Sequence, residues 1–146
     1  MWTMLVIKLV GAILLILAST LLVDWVFSGS KWAHKYFSRA PEIWRPMESG
    51  DAKKTERRVV QMSLLMSFIF SLTSLLFYFV MRPGLIFTAP LVRAFATATF
   101  LWLLIPLPQL ITQHLFIKYH PGTTAQQLAG WYVKLFAASL ILSFLF

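Results

Sequence analysis

Lys134 stands in the run GWYVKLFAASLILSFLF, Gly130–Phe146, whose other members all dissolve in hydrocarbon. A lysine near the centre of a membrane span costs about 2.5–3.5 kcal/mol on insertion scales, so its surroundings must answer its charge. Gly130 precedes it by one turn, Ala138 follows by one turn, and Ala137 stands at i+3. Small residues at that spacing form a face that a second helix can approach closely, which turns Lys134 into a bundle and away from lipid. Nine helical residues from Ala125 put Lys134 about 14 Å deep. Its side chain leans back toward the helix N-terminus and raises the ammonium several ångströms. Asp24, near the same-side end of the first apolar segment, supplies a carboxylate at a similar depth.

Other polar groups share that half of the bilayer. Gln109 and Gln113 are one turn apart on the third apolar segment, with His114 beside them and Pro106 and Pro108 just before, in IPLPQ. Each proline lacks an N–H, so it kinks the helix and frees a carbonyl one turn upstream, which hydrocarbon cannot satisfy. Lys134 or a glutamine amide is the available donor. Asp24, Gln109, Gln113 and Lys134 therefore form one candidate binding cluster. It has two uses: a site for an ion, a proton or a small anionic ligand, or an inert ion pair that fixes helix register. One acid and one base, with no second carboxylate for a relay, favour the lock.

Other chemistry is missing. His34, His114 and His120 share no ligand spacing, so no metal site is expected. His114 is the one option for an axial haem or chlorin ligand, although a lone interfacial histidine is more often just hydrogen-bonded. No cofactor is expected. With no cysteine there are no disulfides or thiolate sites. No phosphate-binding glycine loop, serine elbow or zincin motif appears, which leans against an enzyme.

These residues need helices to hold them. The chain of 146 residues is 59% hydrophobic and 12% charged, too apolar for water to be its solvent. Four runs are long enough to cross a core that needs about 20 helical residues. They predict spans over 3–27, 57–81, 88–117 and 124–146, in one all-α, polytopic four-helix domain. Period-two alternation, the mark of a membrane barrel, is lacking.

Charge sets the sidedness. The loop 28–56 and the start of the second span carry Lys31, Lys35, Arg39, Arg45, Lys53, Lys54, Arg57 and Arg58, and Lys118 lies on the same side. The opposite side has only Lys8, Arg82 and Arg93. The rule that positive loops stay in the cytoplasm predicts a bacterial inner-membrane protein with both termini periplasmic. The first segment is expected to stay as an anchor, because its charge follows the apolar core instead of preceding it. Within the loop, KWAHKYFSR places Lys31, Lys35 and Arg39 on one arc of a helix and Trp32 and Tyr36 on the other. A short amphipathic helix over 30–40 is expected to lie in the headgroups, its cations on anionic lipid. The net charge of +8 is therefore read as membrane-facing, with no nucleic-acid partner. Asp51 is the expected N-cap of a charged helix that leads into the second span.

The segment DWVFSGSKWAHKYF and the stretch LWLLIPLPQLITQHLFIKYHPGTTAQQLAGWYVKLF resemble a bacterial family of small four-span membrane proteins catalogued as a domain of unknown function. The likeness covers about three quarters of the chain. The family's Trp-Tyr-Ser-Pro type of turn after the first span is missing. The resemblance implies the four-span architecture and carries no activity or site residue. The leading expectation is an accessory or assembly subunit that docks in the bilayer against itself or a larger complex, through small-residue faces at Gly130/Ala138 and Ala94/Ala96/Ala98. The rival is a small transporter or ligand-binding protein that uses the polar cluster.

Overall fold

The computed structural model describes residues 2–30, 52–86, 88–116 and 121–146. Helix α1 spans Trp2–Asp24 and runs on as a π-helical turn, Trp25–Gly29; α2 spans Ala52–Met81 and ends in a 3₁₀ turn, Arg82–Gly84. Helices α3, Pro90–Leu104, and α4, Pro106–Phe116, form one broken span, and α5 is Pro121–Leu145. No strand occurs among the described residues. Four stretches are long and apolar enough to cross a membrane: Trp2–Ser28, Val60–Gly84, Pro90–Leu115 and Pro121–Leu145, with mean hydropathies of 1.7–2.6. The chain is an all-α, polytopic membrane protein.

Prolines set three helix starts. Pro90 and Pro121 open α3 and α5, where a missing N–H is harmless because the first turn's donors have no helical acceptor. The last span therefore begins at Pro121, three residues before the expected 124. The third span breaks at Ile105, whose backbone lies at φ −118°, ψ −69°. Pro106 cannot donate to Trp102, and Pro108 cannot donate to Leu104, so the ladder loses two bonds together. It resumes on either side, with Ile105 N–H on Leu101 O at 3.1 Å and Gln109 N–H on Ile105 O at 3.3 Å. The interfacial helix expected over 30–40, with Lys31, Trp32, Lys35, Tyr36 and Arg39, lies outside the described residues, as does Asp51.

Helix α5 is the hub, packed against α1, α3 and α4 and, more lightly, α2. One cluster joins Ala12 and Ile16 of α1, Leu75 and Tyr78 of α2, and Ala138 and Leu142 of α5. Each helix gives two residues three or four positions apart, the spacing of a single stripe. Close approach depends on small residues: Ser67, Ser71, Ala94, Ala98 and Ala138 are all buried. The Ser71 hydroxyl donates to Ser67 O at 2.8 Å, and so satisfies itself within its own helix. Large side chains such as Leu14, Leu22, Val80 and Leu104 face outward, as they do when the solvent is acyl chain.

The last turn of α5 is clamped by three cations from three other segments. Lys8 Nζ donates to Leu145 O at 3.1 Å, Arg93 Nη2 donates to Ser143 O at 3.1 Å, and Arg82 donates to Phe146 O. Carbonyls at a helix C-terminus carry partial negative charge, which cations complement. The three basic residues that the sequence offered only as a weak charge count are thus one structural device. They also mark a single end of the bundle.

Candidate binding chamber between α1, α4 and α5

The other end of the bundle is polar inside. On α5, Gln126, Gly130 and Lys134 recur every four residues and share one face. Gly130 lets α1 come close, since a Cβ placed on it would lie 3.2 Å from the Cγ of Phe27. At that contact α1 changes winding: the turn Trp25–Gly29 opens to i→i+5 pairing, a rare conformation that concentrates at functional sites. In that turn the Phe27 carbonyl accepts from the Nε2–H of the buried Gln126 side chain. Its other amide atom, Oε1, has no partner among the described residues.

One turn further along α5, Lys134 forms an ion pair with Asp24 of α1. The lysine side chain is 15% exposed and the aspartate 36%, so the pair is half withdrawn and open on its acid side. The ammonium also stands 4.9 Å from the centre of the Trp131 ring, within reach of cation–π attraction. Lys8 and Asp24 are about 24 Å apart along α1 at 1.5 Å per residue. With Lys8 at one boundary of a core about 30 Å thick, the pair lies roughly 6 Å inside the other boundary.

A chamber of about 270 Å³ opens beside the pair. Asp24, Phe27 and Ser28 line it from α1, Pro106, Gln109 and Gln113 from α4, and Gln127, Gly130 and Lys134 from α5. The structure thus brings Asp24, Gln109, Gln113 and Lys134 around one space. The break at Ile105 is what admits α4: the prolines swing Gln109 and Gln113 onto the wall instead of continuing α3. Three glutamine amides, one hydroxyl, a carboxylate and an ammonium can bind both donors and acceptors. The set holds no activated nucleophile beside a base, so its chemistry is recognition.

A second space adjoins the first and shares Asp24, Ser28, Trp131 and Lys134 with it. It is a groove of about 1310 Å³ between α1 and α2, with Thr20, Leu21 and Trp25 on one side and Val60, Met66, Ile69 and Phe70 on the other. Helices α1 and α2 pack closely at Ala12, Ile16, Leu75 and Tyr78, and part toward the Asp24 end.

His114 stands apart. It is half-buried, and its Nδ1 lies 3.1 Å from the Thr124 hydroxyl, a hydrogen bond that joins α4 to the start of α5. It does not line the chamber. Among the described residues no group of three or more metal-ligating side chains is assembled. Sequence reasoning overlooked Gln126, Gln127, Phe27 and Ser28. The glutamines were visible as polar residues in TTAQQLAGW, with Gln126 eight positions before Lys134, whereas the π turn has no sequence mark. The chain matches no family model, no curated protein and no solved structure.

Proposed function

We propose that this protein binds a small dipolar or charged ligand in the chamber beside Asp24 and Lys134, as a carrier or ligand-binding component of a bacterial inner membrane. The observation that supports this reading is the ion pair set in the wall of a polar chamber instead of in a closed seam. A register lock needs the pair but has no use for a space lined by three further amides. Buried ionisable groups inside a membrane are costly and mark ligand or ion pathways. The basic excess on 31–58 supports an orientation with both termini periplasmic and the chamber near the cytoplasmic face.

An accessory or assembly role, docking in the bilayer against another copy or a larger complex, draws less support. Of the small residues that would form its interface, Ala94, Ala98, Gly130 and Ala138 are spent inside the bundle and Ala96 is half-buried. Native mass spectrometry of protein purified in mild detergent tests the choice. A bound small molecule that disappears in the charge-free variant Asp24→Asn/Lys134→Met supports ligand binding. A constant protein partner, unaffected by that variant, would overturn it.

A further inference from the structure

The apolar groove and the polar chamber meet at one pair of charges, and that junction has the layout of an amphipathic molecule. From Val60 to Thr73 the α2 wall of the groove runs about 20 Å at 1.5 Å per residue. Thr73 is in turn about 14 Å from Arg82, which lies at the clamped end. In a core about 30 Å thick, the groove therefore covers one leaflet, from the Asp24-side boundary to the midplane. An acyl chain of that leaflet has this reach and direction. The walls suit it: Leu21, Val60, Met66, Ile69 and Phe70 are apolar, and Val60, Met66 and Ile69 are exposed.

The head end selects by charge. Asp24 and Lys134 together are neutral, so an anionic or cationic ligand would bring an uncompensated charge into a half-desolvated site. A zwitterion brings none. It exchanges one ion pair for two, placing its anion on Lys134 and its cation on Asp24. The carboxylate requires N–H donors from that cation, and the Trp131 face is already taken by Lys134. Both points favour a primary ammonium over a quaternary one.

Building on the chamber as a binding site, we infer that its ligand is a phosphoethanolamine glycerolipid that enters from the Asp24-side leaflet. Its phosphate sits on Lys134, its ammonium on Asp24 and the chamber glutamines, and one acyl chain lies in the α1–α2 groove.

The test uses delipidated full-length protein in detergent, titrated under native mass spectrometry with three probes: palmitoyl-oleoyl phosphatidylethanolamine, the matching phosphatidylglycerol, and chain-free glycerophosphoethanolamine. Phosphatidylethanolamine should bind about tenfold more tightly than phosphatidylglycerol, the equivalent of one charge-assisted hydrogen bond. Asp24→Asn/Lys134→Met should abolish that preference. Ile69→Trp, which fills the groove from its α2 wall, should weaken phosphatidylethanolamine by about tenfold and leave glycerophosphoethanolamine unchanged. Equal binding of the two lipids, or an Ile69→Trp variant that binds as wild type, would overturn the inference. If glycerophosphoethanolamine binds and phosphatidylethanolamine does not, the lipid fails and the chamber survives. If no probe binds, both fail.

Discussion

Lys134 on α5 is ion-paired to Asp24 on α1, with its ammonium 4.9 Å from the centre of the Trp131 ring. Two charges held partly out of water depend on each other more than on the rest of the fold. Lys134→Met should therefore cost about 2 kcal/mol of stability, and Asp24→Asn a similar amount, since each leaves its partner unanswered. The double variant should recover part of that loss, with a coupling of about 1–2 kcal/mol. Thermal unfolding in one detergent gives all four corners of the cycle. Strictly additive losses would mean that the pair is not energetically real.

The contact of Gly130 with Phe27 sets the chamber's width. Gly130→Ala asks the Phe27 ring to yield by a few tenths of an ångström, because the new Cβ would stand 3.2 Å from Cγ. Alanine also favours the helix by about 1 kcal/mol, so this variant should melt within a few degrees of wild type. Gly130→Leu has no such room. Overpacking of this kind costs about 1–3 kcal/mol, and it should move α1 off α5, loosening the π turn at Trp25–Gly29. Hydrogen exchange at residues 25–30 is the readout, and unchanged protection there would contradict the assigned contact.

How far the sequence reaches is plain at these residues. Span number followed from uninterrupted apolar length, and the Asp24–Lys134 pairing from a charge too costly to leave alone, with Gly130 and Ala138 showing which way it faced. The break at Ile105 was written in Pro106 and Pro108. What stayed hidden depends on three-dimensional register. Gln126 meets the Phe27 carbonyl inside a π turn, and that winding has no residue signature. Lys8, Arg82 and Arg93 lie far apart in the chain, and nothing local shows that all three converge on the last turn of α5. The groove is still less legible, because it arises where α1 and α2 diverge, and both of its walls read simply as membrane span.

That convergence ranks two of the three cations, Arg93 and Lys8. Arg93 is half-buried, and its Ser143 acceptor is buried, so removing the donor strands a carbonyl inside the bundle, at a cost of about 1–3 kcal/mol. Lys8 is exposed, and its bond to Leu145 O lies at the boundary, where water or headgroups replace it and the loss falls below about 1 kcal/mol. Arg93→Met should thus lower the melting temperature clearly, and Lys8→Met only slightly. The reverse order would show that the clamp acts through surface charge instead of through satisfied carbonyls.

Tyr78 tests the opposite case, a polar group that the fold carries without visible reward. Its side chain is 1% exposed, at the centre of the Ala12, Ile16, Leu75, Ala138 and Leu142 cluster, yet its hydroxyl has no hydrogen-bond partner among the described residues. A buried donor left unmatched costs about 1–3 kcal/mol, while the ring supplies the packing. Tyr78→Phe keeps the ring and deletes the orphan, so it should hold or raise stability, by up to about 1 kcal/mol after the small void left by the oxygen is counted. Tyr78→Ala empties the site and should cost about 3 kcal/mol or more. Unfolding of both variants in the same detergent separates the contributions of ring and hydroxyl. Destabilisation of the phenylalanine variant by about 1.4 kcal/mol or more, tenfold in the equilibrium, would require that the hydroxyl be hydrogen-bonded in the folded protein.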